Sequence, residues 1–97
     1  MLDEQIIHTV ALELEHLHAI GFTSGFEDTV THRVRDRVWR EHGEYAGWQV
    51  WSACCIPNAK KLTKHFGEDI ARRYMEVHNY SESNSRFVMP EWGTRGT

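Results

Sequence analysis

Glu44-Tyr45-Ala46-Gly47-Trp48-Gln49-Val50-Trp51-Ser52-Ala53-Cys54-Cys55-Ile56 is the stretch on which the fold class turns. Almost every residue in it is apolar or small, so it belongs to a core as either a buried helix or a buried strand. Periodicity alone does not separate the two. The alternation Ala46, Trp48, Val50, Ser52, Cys54, Ile56 favours a strand. Length and helical neighbours on both sides favour a helix, and an all-α fold follows from that choice. Either way the segment is expected at the centre of the core.

On its N-terminal side, residues 24–42 read as a helix. Ser24-Gly25-Phe26-Glu27 fits a capping box, in which a serine oxygen and a glutamate carboxylate each satisfy a backbone amide. Phe26, Val30, Val34 and Val38 then form a ridge at four-residue steps, and Gly43 is a plausible stop. On the C-terminal side, Pro57-Asn58 interrupts the chain. Ala59, Leu62, Phe66, Ile70, Tyr74 and Val77 give a helical stripe over residues 58–79. That stripe runs through Gly67, where a kink is expected because glycine costs a helix about 1 kcal/mol relative to alanine.

The chain opens with the clearest pattern. Ile7, Val10, Leu14 and Leu17, widened by Ile6, Ala11 and Ile20, mark an amphipathic helix over 3–20. Asp3 suits its N-cap, and Gly21 suits the left-handed residue that closes a helix. The short Gly21-Phe22-Thr23 link makes helices 3–20 and 24–42 an antiparallel hairpin. The expected architecture is therefore a small all-α bundle: that hairpin, the buried segment 44–56, the kinked helix 58–79 and a short irregular C-terminal tail. Ser81-Glu82-Ser83-Asn84-Ser85 reads as a loop and 86–89 as a short extended piece. The domain is expected to span 1–90, with 91–97 a flexible tail.

A chain of 97 residues with 40% hydrophobic and 26% charged residues suits one globular domain. No apolar run reaches the roughly 20 residues that cross a bilayer, so no membrane association is expected. The first residues lack the basic and apolar pattern of a signal peptide. The two cysteines are the neighbours Cys54 and Cys55, which offer no disulfide framework, and a reducing compartment, the cytoplasm, is the expected location.

The net charge of −3 conceals a split: the first 28 residues carry six acids and no lysine or arginine, the remainder eight acids and eleven bases. The simplest explanation is attraction between the two parts within one fold.

Four chemical constellations merit weighing. Leu62 to Ala71 around Gly67 has the layout of a helix-turn-helix, but Glu68 and Asp69 would open the recognition helix and repel phosphate. It reads as one kinked helix. Arg33, Arg37 and Arg40 share a face of the second helix, with Arg35 to one side, and could grip an acidic protein surface or phosphates. Seven histidines invite a metal site, and Glu13/His16 and Glu15/His18 have the spacing of helical carboxylate–histidine pairs. A second matching pair is missing, since only the reversed His65/Glu68 remains. Cys54 and Cys55 sit in the most apolar segment, where structural cysteine is expected. Of the four tryptophans, Trp48 and Trp51 belong to the expected core, Trp39 lies among the arginines, and Trp92 falls near the C-terminus.

Polar chemistry this scattered points away from an active site, so neither catalytic residues nor a cofactor are expected. The leading expectation is a non-enzymatic accessory or regulatory protein that binds another protein through Arg33, Arg37, Trp39 and Arg40, with Glu13 and Glu15 as the acidic counterpart. A phage or mobile-element inhibitor, or a subunit of an assembly, would fit that size. Nucleic-acid binding by the same arginines is the first alternative, and a metal-dependent protein using the Glu/His pairs the second. Homodimer formation is open as well.

Overall fold

A computed structural model describes residues 1–85 of the chain. It builds five helices and no strand among those residues: α1 Glu4–Ala19, α2 Val30–His42, α3 Glu44–Cys54, α4 Ala59–Phe66 and α5 Glu68–Ser83. The all-α bundle expected from periodicity is the fold. The expectations for residues 86–97, the tail included, lie outside the described residues.

Helix α1 begins where Asp3 Oδ1 accepts from the amide of Gln5 at 2.8 Å. Ile6, Val10, Leu14 and Leu17 are buried along one side. Its end uses Gly21 at φ 58°. There the Gly21 amide donates to the carbonyl of His18 and that of Phe22 to Leu17, so two orphan carbonyls are satisfied as the chain turns.

The second helix starts five residues later than the capping box predicts. Its cap is Thr29, whose hydroxyl accepts from the amide of His32. The expected cap residue, Ser24, is engaged elsewhere: its amide donates to the carbonyl of Ser81 and its hydroxyl to that of Ser81 in α5. Gly25 and Asp28 exchange two backbone hydrogen bonds across a tight turn. That turn places Glu27 at φ 57°, outside any helix, and leaves Phe26 exposed instead of heading the ridge. A long-range contact thus outcompetes a local capping signal.

A single glycine, Gly43 at φ 98°, joins α2 to α3. The stretch 44–56 is helical as far as Cys54, and only one side of it is core: Ala46, Gly47, Val50, Ala53 and Cys54 are buried, whereas Tyr45, Trp48 and Ile56 are exposed. Of the large aromatics expected at the centre of the core, Tyr45 and Trp48 point outward and Trp51 is half-buried, while the small residues pack inward against α2. Gly47 permits this approach, since a Cβ there would lie 3.0 Å from the Trp39 ring.

Gly67, at φ 91°, separates α4 from α5, so the kinked helix expected over 58–79 is two helices. Asn58 caps the first through its side-chain oxygen, 3.0 Å from the amide of Lys61. The second continues past Tyr80 to Ser83, through residues expected to form a loop, because Ser81 is buried with its hydroxyl between Ser24 and the carbonyl of His78.

The core is one cluster drawn from all five helices, and Tyr74 is its largest fully buried side chain. Polar atoms inside it are matched. The Tyr74 hydroxyl donates to that of Thr31, which in turn donates to the carbonyl of Cys54 at 2.9 Å, tying α5, α2 and the end of α3 at one point.

Candidate interaction site

Helix α2 carries its arginines in two directions. Arg33 turns back to Asp28, 2.6 Å from Oδ1, with its guanidinium 5.0 Å above the Phe22 ring. Arg37 reaches across to α1: its Nη1 is 3.1 Å from Glu13 Oε1 and its Nε 3.0 Å from Glu41 Oε2. These carboxylates raise the affinity of both guanidiniums for their protons, the hydrogen bonds to Asp28 and Glu41 being the largest causes. Glu13 is buried, and so is not part of any open surface. The charge split therefore has an internal component, with an acid of the first helix neutralised by a base of the second.

Arg35 faces the other way. Its guanidinium lies 4.8 Å from the ring centre of Trp51 and 5.9 Å from that of Trp48, and it also pairs with Asp36. Cations over an indole face gain electrostatic attraction, and the stacking preorganises both partners. Trp39 meets Trp48 edge to face at 5.3 Å, and His32 meets Trp51 the same way at 5.2 Å. Trp48 is 46% exposed and Tyr45, one turn earlier on α3, is 78% exposed. Arg40 is exposed and makes no ion pair among the described residues. The α2–α3 surface thus presents a platform of indole rings braced by one arginine.

Of the residues singled out from the sequence, the structure brings Trp39 to this platform and leaves Arg40 open on α2. It draws Arg33, Arg37 and Glu13 into internal ion pairs. Glu15 is exposed on the α5 side, with its carboxylate 3.9 Å from Arg73. Tyr45, Trp48, Trp51 and Arg35 are the residues that sequence reasoning missed. The available signal was a helical wheel of residues 44–54, which puts small residues on one side and Tyr45, Trp48 and Ser52 on the other.

The remaining constellations are separate. No three His, Cys, Asp or Glu side chains converge among the described residues. His16 and His18 are exposed, and the Thr9 hydroxyl lies 2.7 Å from Nε2 of His42. Burial pushes the Cys54 thiol up to about 12, and its sulfur donates to the carbonyl of Val50. A thiol so placed is a small core hydrophobe. No helix among the described residues is long and apolar enough to cross a membrane. No protein-family model, curated protein or solved structure matches the chain.

Proposed function

We propose that the chain is a non-enzymatic binding module that recognises another protein through the α2–α3 platform of Tyr45, Trp48, Trp51, Trp39 and Arg35. The observation that carries this reading is the half-exposed Trp48, held between Trp39 and the Arg35 guanidinium on a helix whose buried side is made of small residues. Tryptophan, tyrosine and arginine dominate binding hot spots, and an anchor already fixed by its neighbours loses little freedom on binding. Charge on this surface is mixed: Arg35 and Arg40 stand beside Asp36, Glu41 and Glu44. Such balance suits a protein surface better than a phosphate backbone. Arg33 and Arg37, which a nucleic-acid reading of α2 would need, are already neutralised within the fold. The free thiols Cys54 and Cys55 favour action in a reducing compartment, the cytoplasm.

The test is capture on immobilised chain, identification of what is retained, and reconstitution of the complex from purified components. Trp48→Ala is expected to weaken the purified complex by roughly 30-fold, as an anchor worth about 2 kcal/mol does, while Arg72→Ala on α5 leaves it unchanged. Light scattering distinguishes a second copy of the chain from a different partner. If every retained protein binds wild type and Trp48→Ala equally, the reading fails.

A further inference from the structure

Among the described residues, five of the six arginines are paired with carboxylates, Arg40 being the exception, whereas the lysines are not. Arg33, Arg35, Arg37, Arg72 and Arg73 each reach a carboxylate within 4 Å. Lys60, Lys61 and Lys64, all on α4, reach none among the described residues. They do not project at random. Leu62 and Phe66 fix the apolar side of α4 in the core, so the lysines share the solvent side, Lys60 and Lys64 one turn apart. With Ser52, Asn58 and His65 they line an open depression of about 650 Å³, and no carboxylate lines it. Asn58 uses its side-chain oxygen to cap α4, and its amide nitrogen has no partner among the described residues. The charge is felt locally as well: burial first, then Lys64 and Lys61, hold His65 below its usual value.

We propose that this depression on α4 docks the phosphodiester backbone of a nucleic acid, with Lys60, Lys61 and Lys64 against the phosphates and Ser52 and Asn58 as neutral donors. The inference is independent of the aromatic platform, which it adjoins at Ser52, one turn beyond Trp48. Three features select this occupant. An ammonium is a compact point charge that meets phosphate oxygens from any angle, whereas carboxylate partners favour the guanidinium fork. Hydroxyl and amide donors commonly share backbone contacts with lysine. The depression is broad and open, which suits a polymer lying across it and does not enclose a small phosphorylated molecule. With three cations and no group placed to read base edges, the contact is sequence-independent.

Fluorescence anisotropy of short labelled duplex and single-stranded nucleic acid, titrated with the full chain at rising sodium chloride, tests the proposal. Three phosphate contacts predict a fall of log affinity with log salt of slope about −2 to −3 on duplex. Each single lysine-to-glutamine change is expected to reduce that slope by about one. The triple variant Lys60→Gln, Lys61→Gln, Lys64→Gln, whose changes lie on the solvent side of α4, is expected to bind at least tenfold more weakly, with its helical circular dichroism intact. Trp48→Ala is expected to bind nucleic acid like wild type. Absence of salt-sensitive binding, undiminished binding by the folded triple variant, or equal affinity for polyglutamate would each overturn the proposal; the last would assign the surface to an acidic protein.

Discussion

The two sides of α2 hold the same kinds of residue and put them to different uses. Toward α1 and the preceding turn, Arg37 and Arg33 end on carboxylates, and Glu13 is buried beneath one of them. Toward α3, Arg35 lies on the half-buried ring of Trp51 and beside that of Trp48, which remains open to solvent. Adjacent positions of one helix thus end either on a carboxylate or on an aromatic ring, and what decides is whether the neighbouring element offers a counter-charge or a ring. A charge reversal at Arg37 would be a poor probe of binding, because it would place a second carboxylate against buried Glu13.

The sharpest way to separate the two sides is to damage the inner one. Tyr74→Ala empties a fully buried site and leaves the Thr31 hydroxyl without its donor. A loss of about 3–5 kcal/mol is expected in chemical denaturation. A loss under 1 kcal/mol would show that α2 is not anchored through Thr31. Next comes Arg37→Ala, which strands the buried Glu13 carboxylate. Allowing for the partial solvent access of the pair, about 1–2 kcal/mol should be lost, and Glu13→Gln in the same background should recover part of it.

The third expectation concerns pH. The Cys54 thiol rises from its ordinary value of 9.0 to about 12 on folding, because burial disfavours the thiolate. Above pH 9 the unfolded chain therefore sheds a proton that the folded chain keeps. Stability is full below that pH and falls as pH rises, by about 1 kcal/mol at pH 10. Cys54→Ala should flatten this part of the melting-temperature profile. Tyr74, whose hydroxyl is also pushed up by burial, steepens the decline at higher pH. The smallest effects belong to the outer side. Trp48→Ala should cost under about 1 kcal/mol, because a half-exposed group loses little on truncation. A larger loss would show that the platform holds the fold together.

Much of the fold was legible because it rests on local rules. Asp3, Gly21 and Gly43 act where their chemistry says they should, and the stripes over 3–20 and 59–77 mark the buried sides except at their ends, where Ile20 and Ala59 are exposed. What escaped depends on partners distant in sequence. Ser24 looks like a cap until Ser81 takes its hydroxyl, and the serines after Tyr80 look like a loop until the same contact buries one of them. The aromatic platform is hidden differently: hydrophobicity suggests burial, but glycine and alanine fill the narrow space beneath α3 and leave Trp48 outside. Arg35 lies off the face shared by Arg33, Arg37 and Arg40, which is the reason it meets α3.

One contact also orders events in time. Ser24 bonds to Ser81 through both its amide and its hydroxyl, and its carbonyl accepts from the hydroxyl of Ser85 at 3.0 Å. Chain synthesis is vectorial, so the corner after α1 is made before its fasteners, which follow 57 residues later. On the ribosome that first corner should stay unlatched until α5 has cleared the exit tunnel, so a stalled nascent chain ending before residue 81 would be cut by protease in the 24–28 turn.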